Sequence, residues 1–157
     1  MHRSIIEFKM DEHADWVAFL SCGHRQHVRH QLPFFDRAWV TTEEGRSEKI
    51  GEPLNCGKCD QFEMPDDLAA YRKTAEFDEH TLPKSLRSDH STKPGVWAKI
   101  HVTQGKLNYR VDALDAKFEL SPGTPGIVIP EIGHHIEPVG PVRFFVEFYK
   151  RRDNEPD

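Results

Sequence analysis

The chain has 157 residues, of which 37% are hydrophobic and 30% are charged, and its formal net charge is −5. The acidic balance does not favour nucleic-acid binding, and the low apolar fraction suits two small domains better than one large core. Since there is no apolar run of about 18 residues and no apolar N-terminal segment, we expect no membrane span, no signal peptide and a cytoplasmic location.

The N-terminal segment predicts a β-hairpin. Residues 6–10 alternate between apolar and polar side chains, residues 11–15 are polar, and residues 16–20 are apolar. This pattern is typical of two strands joined by a turn, with Cys22 at the end of the second strand. Residues 26–30 predict a third short strand.

Two short helices are also predicted. Thr41 and Glu44 have the spacing of a capping box, and Gly51 is placed to end the helix that they begin. A second short helix is predicted over residues 66–74, in which Leu68 and Tyr71 are less polar than their neighbours.

The three cysteines lie near histidines in two short segments of the N-terminal part. Cys22 is followed by His24 and His27, and Cys56 is followed by Cys59. Two such segments about thirty residues apart are typical of a tetrahedral zinc site. Cys22, Cys56 and Cys59 supply three ligands, and the fourth is either His24 or His27. Four protein ligands favour a structural zinc over a catalytic one.

This segment has two alternative interpretations. A redox role for Cys56 and Cys59 is not favoured, because a redox Cys-x-x-Cys motif usually opens a helix in a βαβ setting. A nucleic-acid surface is not favoured either, because the segment is acidic overall. The residues that would form that surface are basic and aromatic: Arg25, Arg29, His30, Phe34, Phe35, Arg37 and Trp39.

The C-terminal half predicts strands and turns. Residues 95–102 alternate, residues 104–105 are predicted as a turn, and residues 106–111 as the returning strand. Further strands are predicted over residues 118–120, 127–129 and 143–149, separated by Gly and Pro. This spacing indicates a β-sandwich or a small barrel.

Residues 71–149 resemble the small cupin domain of TehB-type tellurite-resistance proteins and of nitrite-responsive YeaR-type proteins. The resemblance implies an antiparallel β-barrel with a ligand or metal pocket in its mouth, a homodimer formed through edge strands, and a role in metalloid or nitrogen-oxide stress. The N-terminal half is similar to a small uncharacterised bacterial Cys/His domain. The stretches that carry the cupin likeness are Leu82–Pro83, His90–Trp97, Gln104–Tyr109, Pro130–His134 and Phe144–Tyr149.

The resemblance places His90 and His134 at the histidine positions of the family. They are candidate ligands of a second divalent metal, which could be Zn, Fe, Ni or Mn. Glu147 is a further candidate, because a carboxylate between apolar neighbours on both faces needs a metal, His or Arg partner. The alternative is that His90 and His134 form a hydrogen-bonded polar cluster in an empty barrel. His135 would point away from His134 on a strand.

Together these predictions describe a mainly β protein. A zinc-stapled, ribbon-like Cys/His module over residues 1–62 and an acidic linker over residues 63–70 precede a cupin-type antiparallel barrel over residues 71–152. The favoured function is binding or sensing of a small ligand or metal. The alternatives are a metal-dependent cupin enzyme, such as a dioxygenase or isomerase, and a nucleic-acid-associated regulator.

Overall fold

A computed structural model describes residues 1–152 and divides the chain into two compact units, Met1–Gln61 and a second that begins at Phe62. Strands hold 49% of the residues and helices 14%, so the predicted mainly β fold class is confirmed. The strands form curled antiparallel sheets. Within residues 1–152, no helix has the length and apolar character needed to cross a membrane.

The first unit is a four-stranded sheet in the order β3-β2-β1-β4, with one 3₁₀ helix and two short α-helices. The antiparallel pairing of β1 with β2 confirms the predicted hairpin. Its elements are β1 (His2–Met10), β2 (Trp16–Leu20), β3 (Arg25–His27), a 3₁₀ helix (Ala38–Thr41), α1 (Glu43–Lys49), β4 (Pro53–Asn55) and α2 (Gly57–Asp60).

Helix α1 begins one residue later than predicted. Thr42, not Thr41, is its N-cap, and the Thr42 side chain accepts a hydrogen bond from the Gly45 amide at 3.0 Å. Thr41 belongs to the preceding 3₁₀ helix, where its hydroxyl donates to the Ala38 carbonyl. Gly51 follows the helix with φ +89°, a conformation that favours glycine and ends the helix as predicted.

The core of the first unit is small. Apart from the cysteines, its buried hydrophobic residues come mainly from β2, and a folding unit of this size has little apolar area to bury. These residues are Ile5, Val17, Ala18, Phe19, Leu20, Val28 and Val40.

The second unit is a six-stranded sheet built on one long strand pair. β7 and β10 pair along nearly their whole lengths, β5 and β8 flank them, β6 joins β10, and β9 joins β7. The strands are β5 (Leu68–Lys73), β6 (Phe77–Asp78), β7 (Trp97–Val111), β8 (Ala116–Leu120), β9 (Gly126–Val128) and β10 (His135–Arg151). Short 3₁₀ helices lie at Lys84–Arg87 and Asp112–Leu114.

The helix predicted over residues 66–74 is wrong. The structure has strand β5 there. This strand also includes the last residues of the segment that was predicted as a linker. Backbone pairing with β10, with Leu68 opposite Arg151 and Lys73 opposite Glu147, gives this segment its strand conformation. Such tertiary pairing overrides a weak local helix propensity.

The turn predicted at Gln104 and Gly105 is also wrong, because β7 continues through both residues. The strand bends there instead of reversing. Gly105 has φ +79°, and a Cβ atom at this position would lie 2.1 Å from the Pro141 carbonyl oxygen. The facing strand has a register shift between Val139 and Val142. Bulges and glycines of this kind curve a sheet.

The curved sheet encloses the core of the second unit. Ala98, Ile100 and Val102 are buried in alternation, as the sequence predicts for this face of β7. Tyr109 is also buried, and its hydroxyl donates to the Ile127 carbonyl oxygen at 2.7 Å, which ties β7 to β9. The concave face of this sheet therefore has an apolar lining.

Candidate functional site

Four buried side chains of the first unit converge on one point. They are Cys22, His24, Cys56 and Cys59, and their potential ligand atoms all lie within 4.8 Å of one another. His24 Nδ1 lies 3.4 Å from Cys22 Sγ, 3.4 Å from Cys56 Sγ and 3.6 Å from Cys59 Sγ. We call these four residues the Cys/His cluster.

The turn between β2 and β3 supplies the first two members of the cluster. Gly23 adopts φ +93° between Cys22 and His24. The Gly23 amide donates to the Leu20 carbonyl at 2.8 Å, and the Leu20 amide donates to the His24 carbonyl at 3.0 Å. A tight turn of this kind allows both flanking side chains to face the same point.

The segment around α2 supplies the other two members. Cys56 is the N-cap of this helix and Cys59 lies within it, so one turn brings both sulfurs to the same side. The Cys56 amide donates to the Met1 carbonyl at 2.7 Å, next to the pairing of β1 with β4. Long-range sheet pairing therefore carries this segment to the β2–β3 turn.

The structure brings His24, and not His27, to the sulfurs. His27 is 52% exposed, and its Nε2 lies 2.9 Å from Asp11 Oδ2. It belongs to a different group that also contains Asp15. Of the two histidines that the spacing left open, His24 therefore joins the Cys/His cluster.

The spacing of the Cys/His cluster fits a tetrahedral metal site. Zn–S bonds of about 2.3 Å and Zn–N bonds of about 2.0 Å place neighbouring sulfurs about 3.8 Å apart, and sulfur and nitrogen about 3.5 Å apart. The Cys22 and Cys56 sulfurs are 3.9 Å apart, and the three sulfur–nitrogen distances are 3.4 to 3.6 Å. The cluster could hold a metal ion such as zinc.

The protonation states of the cluster depend on one another. Hydrogen bonds from Cys22 and Cys59 lower the pKa of Cys56, while hydrogen bonding to Cys22 and Cys56 raises that of Cys59. Burial alone would lower the pKa of His24, but hydrogen bonds to the sulfurs of Cys22 and Cys56 raise it to about 9. Because zinc binds thiolates and neutral imidazole, a bound cation would displace protons from the cluster.

In the second unit, His90 and His134 lie against each other. Their backbones form an isolated antiparallel bridge, and their ring centroids are 4.1 Å apart. His90 Nδ1 lies 3.0 Å from the Ser88 carbonyl oxygen, and His134 Nδ1 lies 3.2 Å from that of Ile132. A carbonyl only accepts, so Nδ1 carries the proton in each ring and Nε2 of a neutral ring is an acceptor or ligand atom.

Both histidines line a cavity of about 430 Å³. His134 is only 4% exposed, and burial, followed by the nearby His90, lowers its pKa to about 4. The ring is therefore neutral at physiological pH. Most of the lining is apolar, and Ala98, Ile100 and Val146 contribute to it. We call this space the histidine cavity.

Glu147 lies away from the histidine cavity. Its carboxylate lies 3.3 Å from His101 Nε2 and accepts a hydrogen bond from the Tyr149 hydroxyl. Hydrogen bonding, first from Tyr149 and then from His101, lowers the pKa of Glu147. The partner that the sequence required for this carboxylate is therefore His101, and the structure does not bring Glu147 together with His90 and His134.

His135 also lies outside the cavity lining, with its Nδ1 3.0 Å from Asp89 Oδ1. Within residues 1–152, His90 and His134 belong to no group of three or more potential metal ligands. Sequence reasoning missed several polar residues of the lining, including Arg72, Thr92 and Lys93. Their side chains are common on surfaces, and only the fold brings them to one opening.

These features define a mainly β protein of two units with a buried Cys/His cluster and a separate cavity. Residues 6–63 match the family model of DUF3565, a protein of unknown function. Residues 72–146 match the family model of the TehB-like domain. No curated protein matches the chain.

Two solved structures resemble the second unit. A crystal structure of a protein from E. coli strain K12 is 23% identical, with a TM-score of 0.55, over 58% of this chain and 98% of the other. TehB from Haemophilus influenzae is 26% identical, with a TM-score of 0.51, over 56% of this chain. The match covers only 33% of TehB, so it concerns one part of that protein.

Proposed function

We propose that this chain is a metal-binding protein whose first unit holds a structural zinc ion and whose cupin-type second unit binds a small molecule. The observation that carries the first part is the geometry of the Cys/His cluster, which has four buried ligand atoms at the separations of a tetrahedral zinc site. Cys22, His24, Cys56 and Cys59 would hold the ion.

A structural role fits this ligand set. Three thiolates and one imidazole fill the four positions that zinc takes in structural sites, and catalytic sites keep one position open. Soft sulfur ligands also favour zinc over magnesium, calcium or manganese. The ion would join the β2–β3 turn to α2 in a unit with a small apolar core, and such units often need a metal to fold.

Metal analysis of protein purified without added metal tests this proposal. We expect one zinc per chain by inductively coupled plasma mass spectrometry, and loss of that zinc in Cys22→Ser. Ser21→Ala, in the same turn, is the matched control and should keep the metal. A wild-type protein without metal, or a Cys22→Ser protein with unchanged zinc, would overturn the proposal.

The second part of the proposal is carried by the histidine cavity. A concave, mainly apolar space with a few converging polar groups is the usual form of a small-molecule site. The polar groups of this lining include the rings of His90 and His134. The position of Glu147, paired with His101 elsewhere, supports binding or sensing more than metal-dependent catalysis.

Three finer predictions remain untested. A second metal at His90 and His134 predicts a second metal equivalent that His90→Ala with His134→Ala removes. A role in metalloid or nitrogen-oxide stress predicts that deletion of the gene changes growth in tellurite or nitrite. The nucleic-acid alternative predicts salt-dependent binding to DNA or RNA.

Binding to the cavity can be tested with octan-1-ol as a neutral probe. We expect the probe to shift the NMR signals of the Ile100 and Val146 methyl groups, which line the cavity. Val128→Phe, which fills the cavity, should abolish the shifts. Val139→Phe, at an exposed position of β10, is the control and should leave them unchanged. Absence of shifts in the wild-type protein would overturn the small-molecule function.

A further inference from the structure

We propose that the ligand of the histidine cavity is a small organic monocarboxylate with an apolar body. This inference deepens the proposed small-molecule function of the second unit and depends on it. The inference rests on two features of the cavity lining, an apolar wall and a cationic opening.

The wall of the cavity selects for an apolar body. Ala98 and Ile100 of β7, Val128 of β9, and Val146 and Phe148 of β10 line it. An inorganic oxyanion placed against these side chains would lose its hydration without gaining hydrogen bonds, which is strongly unfavourable. Hydrocarbon placed there gains about 25 cal/mol for each Å² removed from water.

The charge of the lining selects for an anion. Arg72 and Lys93 line the cavity, and among residues 1–152 no Asp or Glu does. This one-signed lining occurs in a chain of net charge −5. The Arg72 guanidinium lies 5.7 Å from the centre of the Phe148 ring, which places it over the apolar wall. Cations at the edge of a low-dielectric cleft attract anionic ligands.

The segment that carries Lys93 is held in place. The Thr92 hydroxyl donates to the Val96 carbonyl at 2.6 Å, and the Thr92 carbonyl accepts from the Glu131 amide at 3.0 Å. Two further backbone bonds join His90 to His134. Lys93 has no ion-pair partner among the described residues. A carboxylate entering the cavity would therefore meet an available ammonium group on a fixed backbone.

Octanoate and octan-1-ol have the same chain length and differ in charge, so together they test the inference. In calorimetric titrations, Lys93→Met should weaken octanoate binding about threefold to fivefold, which is the usual range for one solvent-exposed ion pair. Combining it with Arg72→Gln should weaken binding about tenfold. The affinity for octan-1-ol should change less than about twofold. Lys99→Met, which removes a lysine from the opposite face of β7, is the matched control and should change neither affinity.

The outcomes separate the two proposals. If octan-1-ol binds, and the two cation variants weaken octanoate binding no more than they weaken octan-1-ol binding, the cavity is a small-molecule site but its ligand is not a carboxylate. Displacement of octanoate by tellurite or nitrite at similar concentrations would also overturn it, in favour of an inorganic oxyanion. If neither octanoate nor octan-1-ol binds, the small-molecule function itself fails.

Discussion

His24 Nδ1 lies 3.4 Å from Cys56 Sγ, although 32 positions separate the two residues in the chain. The same nitrogen is equally close to Cys22 Sγ and lies 3.6 Å from Cys59 Sγ. One imidazole nitrogen therefore contacts all three cysteine sulfurs of the first unit. This contact distinguishes His24 from His27, the other histidine whose spacing made it a candidate ligand.

The two candidate histidines should behave differently when each is replaced. We expect His24→Gln to lose most of its zinc, and the melting temperature of the first unit to fall by more than about 10 °C, since a lost metal ligand costs several kcal/mol. His27→Gln should keep its zinc, because His27 pairs with Asp11 on the surface. Metal content and thermal unfolding measure both effects. Equal zinc loss in the two variants would contradict the assignment of His24.

Removal of the metal should unfold the first unit selectively. A strong chelator should broaden or shift the NMR signals of Ile5, Val17 and Val28, because the Cys/His cluster joins segments that few other buried residues connect. Signals of Ile100 and Phe144 in the core of the second unit should persist. Readdition of zinc should restore the lost signals. Unchanged signals from the first unit after complete metal removal would show that the ion does not stabilise it.

The sequence predicted three ligands of the cluster, Cys22, Cys56 and Cys59, but not the fourth. Cys-x-x-Cys spacing restricts two sulfurs to one helical turn, so Cys56 and Cys59 could be paired without a structure. His24 and His27 could not be separated, because the choice depends on the β2–β3 turn at Gly23 and on Asp11 being available to His27. Both depend on the tertiary structure.

The errors in the second unit have the same physical origin. Residues 68–73 have no strong local preference, and their strand conformation comes from pairing with a β10 strand more than sixty positions away. Gln104 and Gly105 look like a turn locally, but the facing β10 continues past them and keeps them in β7. Glu147 was expected to need a partner, and which residue supplies it depends on the register that places His101 nearby.

Replacement of Gly105 by alanine should destabilise the protein far more than the same replacement at Gly123, a glycine of similar backbone conformation. Gly105→Ala places a Cβ atom 2.1 Å from the Pro141 carbonyl oxygen at φ +79°, so we expect the free energy of unfolding to fall by about 3 kcal/mol or more. Gly123→Ala has φ +89° but meets nothing within 4 Å, so it should cost only about 1 kcal/mol. Urea unfolding measures both values. Equal losses would show that the close approach to β10 does not restrict position 105.

Burial of His134 should make the second unit less stable in mild acid. Its pKa is lowered from 6.5 to about 4, first by burial and then by the nearby His90. Between these values the unfolded chain binds a proton that the folded chain excludes. Stability is therefore fully present above pH 6.5 and is lost as the pH falls towards 4, by about 3 kcal/mol in all.

Urea unfolding of the second unit at pH values from 7.5 to 4.5 measures this loss. We expect His134→Gln to flatten the dependence in this range, because glutamine does not titrate. His135→Gln is the matched control, since the neighbouring ring pairs with exposed Asp89, and it should keep the wild-type slope. The lowered pKa values of Asp78 and Glu79 affect stability mainly below about pH 4.5, since the unfolded chain protonates these carboxyls around 3.8 and 4.5. If His134→Gln kept the wild-type slope while His135→Gln lost it, the acid sensitivity would belong to His135 and not to the cavity.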